Sequence, residues 1–336
     1  MRAAPDFAVE IVGIDADASA TGRLLCDHFA VLPMADEAPE RYLSELLELH
    51  RAAPFDVYLG LSDAEARWSS RHRSALLSAG IRPAAGDWTS VEPMTDKLLM
   101  LDRLVARGLD AGEFFAVESR QDAEAALRQL GHPVRRVVLK PRRGRGSRGV
   151  LVVDAGEKTF RKLLPDRFCG TGDWPALTAA MANQGMDWTD MVAMPYYDGP
   201  VFDLDCIAVA GRMTDVAVRL RQLKNPFWPT STGHKIAMEP RVVTYAGQLC
   251  AAFGVDGAGD FDVVLANGER PLLFDSSARF SGSVGETFVA GANLPAQLVR
   301  TLAGMRRRDE VLRDGLVMRP YITMAPIPAA NEWDLL

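Results

Sequence analysis

Residues 137–153 read Val-Val-Leu-Lys-Pro-Arg-Arg-Gly-Arg-Gly-Ser-Arg-Gly-Val-Leu-Val-Val, two short apolar runs flanking a basic, glycine-rich loop. Val137–Leu139 and Val150–Val153 are rich in β-branched residues and bounded by turn residues, so each reads as a strand. The loop between them is then a hairpin-like cover. That placement excludes two familiar glycine-rich motifs. A P-loop and a dinucleotide fingerprint both set their phosphate on the N-terminus of a helix that opens directly after the glycines, and no helical pattern follows here. What remains is a flap in which Gly144, Gly146 and Gly149 let backbone N–H groups approach an anion closely. Arg142, Arg143, Arg145 and Arg148 add positive charge, and Lys140 projects from the preceding strand. Taken alone, the stretch fits a phosphate cradle and a solvated basic hairpin touching nucleic acid equally well.

Composition bears on that choice. The net charge of −6 argues against a general nucleic-acid binder, which carries an overall basic surface to neutralise phosphates, so the basic loop is a local feature. A chain of 336 residues allows about two domains, each with its own core. An apolar fraction of 48% and a charged fraction of 24% belong to an ordinary globular protein, and no disorder is expected. Cys26, Cys169, Cys206 and Cys250 are far apart and lack zinc spacing, which reads as reduced core cysteine. No apolar run has signal-peptide length or approaches a membrane span of ~20 residues, and a cytoplasmic location is expected.

Along the chain, Val9–Ile14, Ala30–Leu32 and Asp56–Leu61 read as strands, with a short helix at 21–28 and helices at Arg41–Ala52 and Ala64–Ser78. Such alternation implies a parallel sheet with helices packed on it. Asp96–Gly108 reads as a helix with Thr95 as N-cap and Gly108 as C-cap, then Phe114–Val117 as a strand and Ser119–Leu130 as a helix. After the flap, Lys158–Leu164 and Trp174–Asn183 show weaker helical patterns and Met191–Tyr196 a strand. Val201–Val209 and Thr214–Arg221 read as antiparallel neighbours, Arg241–Phe253 as a helix, and Gly259–Leu265 with Pro271–Phe274 as a hairpin around Ala-Asn-Gly at 266–268. Lys224–Lys235, with Trp228, Thr230, Ser231, Thr232 and His234, lacks periodicity and reads as a substrate loop.

Lys97 opening a helix, Lys140 before a glycine-rich flap, a strand near Met194 and the hairpin from Asp262 to Arg279 occur in this order. Together they resemble the ATP-grasp superfamily, in particular its carbamoyl phosphate synthase large-chain-like branch, over most of the chain. The resemblance implies an α/β pre-ATP-grasp domain over 1–90, a parallel sheet whose usual first strand and glycine turn are missing. It implies an α+β ATP-grasp domain of two lobes over 91–336, with 91–197 as the nucleotide lobe and 198–336 as the metal and substrate lobe.

The site residues follow from the same resemblance. Lys97 and Lys140 would contact ATP, while Arg145, Gly146 and Ser147 would close over its phosphates. The hinge, with Ala193, Met194 and Tyr196, would bond adenine through its backbone, and Asp203 or Asp205 would serve where the family's ribose-binding Glu is absent and Pro195 and Val201 stand. Mg2+ would sit on Asp262, Asp275 and Ser277. The family's Glu-x-Asn-Pro-Arg reads Asp275-Ser276-Ser277-Ala278-Arg279 here, so an Asp replaces Glu and a Ser replaces Asn. Arg279 would stabilise the transferring phosphoryl group, and Arg219 and Arg221 would recognise the acyl substrate's carboxylate or phosphate.

The implied activity is an ATP-dependent, Mg-dependent carboxylate–amine ligase working through an acyl phosphate. The alternatives are a degenerate, non-catalytic ATP-binding protein and a carbamate or small-acid kinase. Expected partners are a small-molecule carboxylate and an amine, with a homodimer among the open assemblies and neither nucleic acid nor membrane.

Overall fold

The computed structural model describes residues 1–144, 146–164, 167–221 and 233–319. Arg145 and residues 224–232 of the expected substrate loop lie outside them.

The first third alternates as expected. β1 (Val12–Asp15) pairs in parallel with β2 (His28–Val31), α1 (Pro39–Ala52) follows, and β3 (Val57–Tyr58) leads through α2 (Asp63–Arg71) and α3 (Arg73–Ser78) to its parallel partner β4 (Arg82–Pro83). The parallel sheet is present as two separate two-stranded pieces. The helix expected over Ala64–Ser78 breaks at His72, whose ring stacks on Trp68 and meets the Trp68 carbonyl at 2.9 Å. Leu46, Leu49, Trp68, Leu76 and Ile81 bury their side chains together, so this domain has a core of its own.

α4 (Trp88–Met94) and α5 (Lys97–Ala106) come next. Asp96, rather than Thr95, caps α5, its Oδ1 accepting from Leu98 N at 3.1 Å and Leu99 N at 3.3 Å. Thr95 Oγ1 instead donates to the Val91 carbonyl at 3.1 Å, ending α4.

The flap lobe is built from β5 (Phe115–Val117), α6 (Arg120–Gln129), β6 (Val137–Pro141), β7 (Leu151–Val153), β8 (Arg161–Lys162), β9 (Gly170–Gly172), α7 (Trp174–Asn183) and β10 (Met191–Pro195). Its sheet runs β5-β10-β6-β7-β9-β8. β6 and β7 pair antiparallel, Val137 opposite Val153, so residues 137–153 form a hairpin around the glycines. The helix expected at Lys158–Leu164 is replaced by β8, where pairing to β9 outweighs a weak helical preference. Period-two alternation on β6 sends Val137 and Leu139 into the lobe's core and leaves Val138 and Lys140 on the opposite face.

The second lobe holds β11 (Val201–Val209), β12 (Arg212–Arg221), β13 (His234–Ile236), α8 (Pro240–Phe253), β14 (Gly257–Ala266), β15 (Arg270–Ser277), α9 (Gly285–Val289), α10 (Leu294–Leu302) and β16 (Val317–Met318). The sheet runs β15-β14-β11-β12-β13-β16. Phe202, Leu204, Val218, Phe261 and Val263 face a core shared with Met100, Leu101 and Leu104 of α5 and Val242, Leu249 and Phe253 of α8. The helix that opens with Lys97 therefore packs with this second sheet, not with the flap lobe expected over 91–197. The alternate residues of the same strands form a charged face. Register places Asp203 opposite both Arg219 and Asp262, Asp205 opposite Asp260, Asp262 opposite Asp275, and Arg221 opposite His234. At its lower end this face turns apolar, where Ile207, Ala217 and Ala258 meet Leu294 and Leu298 of α10.

Candidate active site

A cleft of about 280 Å³ lies between the flap lobe and the charged face. Its walls are apolar where Val138, Met194, Val201, Val264 and Phe274 meet, and polar toward Lys97, Lys140 and the flap residues Gly144, Gly146 and Ser147. Gly146 and Ser147 both adopt positive φ, 60° and 63°, a left-handed turn that glycine opens without a Cβ penalty. Lys140 is 4% exposed, and its Nζ donates to the Phe274 carbonyl. That carbonyl is exposed to it by a bulge, since the register of β14 and β15 shifts between Asp262 and Val263 and leaves Phe274 as the extra residue. Burial pulls the Lys140 ammonium down to about 8, with Asp275 opposing and Lys97 adding to the shift. Lys97 Nζ lies 3.1 Å from Asp275 Oδ1 and 3.2 Å from the Gly144 carbonyl.

The arginines at the flap's base have a structural task. Arg142 Nε and Nη2 reach the two oxygens of Asp96 at 3.1 and 3.0 Å, and Arg143 Nη2 lies 3.1 Å from Asp96 Oδ2. Lys97 N also donates to the Arg142 carbonyl at 2.9 Å. The start of α5 and the root of the flap are thus one unit. On the far side of the turn, Arg167 Nη1 donates to the Gly146 carbonyl at 2.6 Å.

A second recess of about 100 Å³ continues from the cleft, sharing Gly144, Gly146, Asp262 and Asp275 and adding Asp63, Asp260, Ser276, Ser277 and Arg279. Arg279 Nη1 bonds Asp260 Oδ2 at 2.9 Å. The chemistry of these donors fits a hard divalent cation. Asp262 and Asp275 stand directly opposite each other on neighbouring strands, a like-charge pairing that Arg221 offsets on one side and Lys97 on the other. Burial pushes the Asp262 carboxyl up to about 7, Arg221 working against the shift and Asp203 and Asp275 adding to it. Asp260 is raised well above the usual carboxylate range by its burial, and its Oδ1 has no hydrogen-bond partner among the described residues. Those residues contain no cage of three or more His, Cys, Asp or Glu side chains. A magnesium ion would therefore take one or two carboxylates here and complete its shell with phosphate and water oxygens.

Several expected residues sit elsewhere. Ala193 is buried on a strand paired on both sides, opposite Phe115 and Leu139, and alternation turns its side chain into the flap-lobe core. Tyr196 lines the cleft, but its backbone N–H is taken by the Arg136 carbonyl at 2.9 Å, which removes that amide as an adenine donor. Asp203 is 3% exposed and does not line the cleft. Its Oδ1 accepts from Arg221 Nε at 2.6 Å, and its Oδ2 lies 2.6 Å from His234 Nε2, so it holds protein groups where ribose binding was expected. Arg219, 0% exposed, is ion-paired to Asp205 and donates to Ser281 Oγ at 2.9 Å, out of reach of either cavity. Arg221 does line the cleft, with Nη2 2.7 Å from Asp262 Oδ2. Ser277 Oγ donates to Asp63. His234, expected in a loop, is fully buried on β13 between Asp203 and Glu286.

Residues 187–322 match the family model described as "ATP-grasp in the biosynthetic pathway with Ter operon". That segment matches an ATP-grasp family, and the chain as a whole has the ATP-grasp fold. It superposes on the biotin carboxylase domain of Hydrogenobacter thermophilus 2-oxoglutarate carboxylase, solved with MgADP, ADP and bicarbonate, with a TM-score of 0.64 at 16% identity over 90% of this chain and 66% of that one. N5-carboxyaminoimidazole synthetase from Staphylococcus aureus, complexed with ADP, gives 0.65 at 13% identity over 90% and 73%. L-amino acid ligase from Bacillus licheniformis gives 0.57 at 17% identity over 81% of this chain, which spans only 62% of that structure. At these identities the likeness is one of fold. No curated protein matches the sequence significantly.

The ATP-grasp site also contains residues that sequence reading passed over. Asp260 had a signal, since it precedes Asp262 by two and a strand puts both on one face. Val138 and Val264 line the cleft without a local mark, while Tyr197, the last residue of the expected hinge, lines it too. Asp63 reaches the recess from the first domain, 214 residues from its partner Ser277. Among the described residues, no helix is long and apolar enough to cross a membrane.

Proposed function

We propose that this chain is an ATP-dependent carboxylate–amine ligase that uses magnesium and an acyl-phosphate intermediate. The observation that carries the reading is the convergence of Lys97, Lys140, the Gly146–Ser147 turn, Asp262 and Asp275 on one cleft that opens into a recess holding Arg279. Apolar walls suit a base, and the two lysines suit phosphates. Asp262 and Asp275 are the side chains that would hold magnesium, with Ser277 beside them. Magnesium, when bound, neutralises charge on the β- and γ-oxygens.

In this reading a substrate carboxylate oxygen bonds to the γ-phosphorus as the bond to the β,γ-bridging oxygen breaks and ADP leaves. An amine nitrogen then bonds to the acyl carbon, the carbon–oxygen bond to phosphate breaks, phosphate departs, and the nitrogen gives up a proton. No protein nucleophile is required, because positioning and charge neutralisation lower the barrier. Arg279 supplies a positive charge at the recess and Lys140 a second at the cleft.

The similarity to an L-amino acid ligase makes L-amino acids the first carboxylates to offer. Incubation with MgATP, mixed L-amino acids and hydroxylamine should give ADP equal to hydroxamate plus any dipeptide formed, and Lys140→Ala should cut turnover by about 100-fold or more. Turnover in Lys140→Ala within about tenfold of the wild type overturns the assignment.

One observation favours the non-catalytic alternative: Asp275 already pairs with Lys97, and Ser277 with Asp63. Calorimetry separates the two. ATP binding that is indifferent to magnesium, without ADP formation, marks a nucleotide-binding protein.

A further inference from the structure

Asp63 is the first helical residue of α2, in the first domain, yet it lines the acidic recess between the ATP-grasp lobes. Its own position is fixed locally. Ser62 Oγ accepts from Glu65 N at 3.2 Å, while Glu65 Oε2 accepts from Ser62 N at 2.9 Å and Leu61 N at 3.0 Å, a capping box that sets the first turn. The preceding turn packs tightly on α2, for a Cβ at Gly60 would stand 3.1 Å from Glu65 Cβ and 3.2 Å from Ala66 N. An acidic residue at this place already suits the helix N-terminus. Helix capping, however, needs no partner in another domain, and Asp63 has two.

Its Oδ1 accepts from Ser277 Oγ and faces Arg279 Nε at 3.5 Å. Asp260 holds the same guanidinium from the other side, and Arg279 Nη1 also donates to the Phe280 carbonyl at 2.8 Å. Arg279 thus stands between two carboxylates that belong to different domains. A guanidinium gripped on one edge can pivot about that contact, and a second carboxylate on another edge fixes its plane. Next to Ser277, Ser276 is tied within the second lobe, its Oγ donating to the Met94 carbonyl of α4 at 2.9 Å, so this end of β15 is held by its own lobe through Ser276 and by the first domain through Ser277.

We propose that Asp63 is a positioning residue of the phosphoryl-transfer site: acting through Ser277 and Arg279, it aims the guanidinium at the recess and makes the first domain part of the active site. The inference rests on the ligase reading above.

Calorimetry with MgADP, and with MgADP plus aluminium fluoride as a mimic of the transferring phosphoryl group, separates ground-state from transition-state binding. The wild-type chain should bind the fluoride complex more tightly than MgADP alone. Asp63→Asn should keep MgADP affinity within about twofold and lose about tenfold or more of the fluoride-dependent tightening. Asp63→Glu should recover part of the loss. Adding Asp63→Asn to Arg279→Lys should cost little further, since both act on one guanidinium, whereas a merely structural role gives additive losses. Thermal unfolding checks each variant, and if Asp63→Asn does not fold, Asp63→Ser takes its place and should show the same loss. Full tightening in Asp63→Asn (or in Asp63→Ser, where that replaces it), or losses that add, overturn this inference alone. A wild type that binds MgADP with no tightening overturns the ligase reading beneath it.

Discussion

Lys140 and His234 show how burial gives a charged residue its consequence. Lys140 is nearly inaccessible and has only a backbone carbonyl and nearby carboxylates to compensate its charge, which is why its ammonium is pulled down to about 8. Its removal should cost roughly 100-fold or more in turnover, the scale on which loss of one preorganised electrostatic contact is felt. ADP release by Lys140→Ala measures it. His234 is the opposite case. Burial disfavours its charged form, but hydrogen bonds to Asp203 and Glu286 outweigh that and raise its pKa. A histidine whose pKa is higher folded than unfolded contributes fully below the unfolded value, about 6.5, and loses its contribution as pH rises through the folded value. The gap in thermal midpoint between the wild type and His234→Gln should therefore be widest below about pH 6 and shrink at higher pH. A gap that widens with pH would contradict the assignment of Asp203 and Glu286 as its partners.

The element that decides most is the join of α5 to the flap. Asp96 caps the helix with one oxygen and receives Arg142 with both, and its side chain is wholly inaccessible. Asp96→Ala removes a cap worth about 1 kcal/mol and the nearest partner of the Arg142 guanidinium, which keeps Glu118 and Asp190 at 3.8 and 3.6 Å, a combined loss of about 2 kcal/mol that urea denaturation can read. The flap arginines looked interchangeable in sequence, four within 142–148. The structure separates them by where the strand ends: Arg142 and Arg143 still belong to the root and turn back to α5, while Arg148 lies past the glycines and lines the cleft. Strand alternation was legible in β11, β12 and β14, because Asp-x-Asp and Arg-x-Arg state a shared face. It gave no means of ranking Arg219 against Arg221. Both occupy the same face, but Arg219 is enclosed by Asp205 and by Ser281 beyond β15, while Arg221, one alternation further on, reaches the cleft.

At the scale of the molecule, the three largest apolar cores among the described residues support the first domain, the flap lobe and the second lobe, and the cleft lies where the last two face each other. The flap spans that boundary, so a bound nucleotide should tie it down. Trypsin cleavage within 142–148 should slow by about tenfold with MgATP present, as ligand binding to the closed form depletes the open one. Unchanged cleavage at saturating MgATP would show that the flap does not take part in binding. The first domain is fastened to the rest at its start as well, where Asp6 receives Arg300 of α10 at 2.6 and 2.9 Å and that arginine has no exposed surface.

Local chemistry determined a great deal of this protein by itself. A lysine at a helix start, a glycine-rich hairpin without a following helix, and an acidic hairpin ending in arginine each express short-range rules of turn, cap and alternation, so they could be read in order along the chain. Which carboxylate meets which cation was decided by packing between distant segments. Asp63 to Ser277 and Lys140 to Phe274 join residues 214 and 134 positions apart. No periodicity carries such a contact, because it depends on how two finished faces come together.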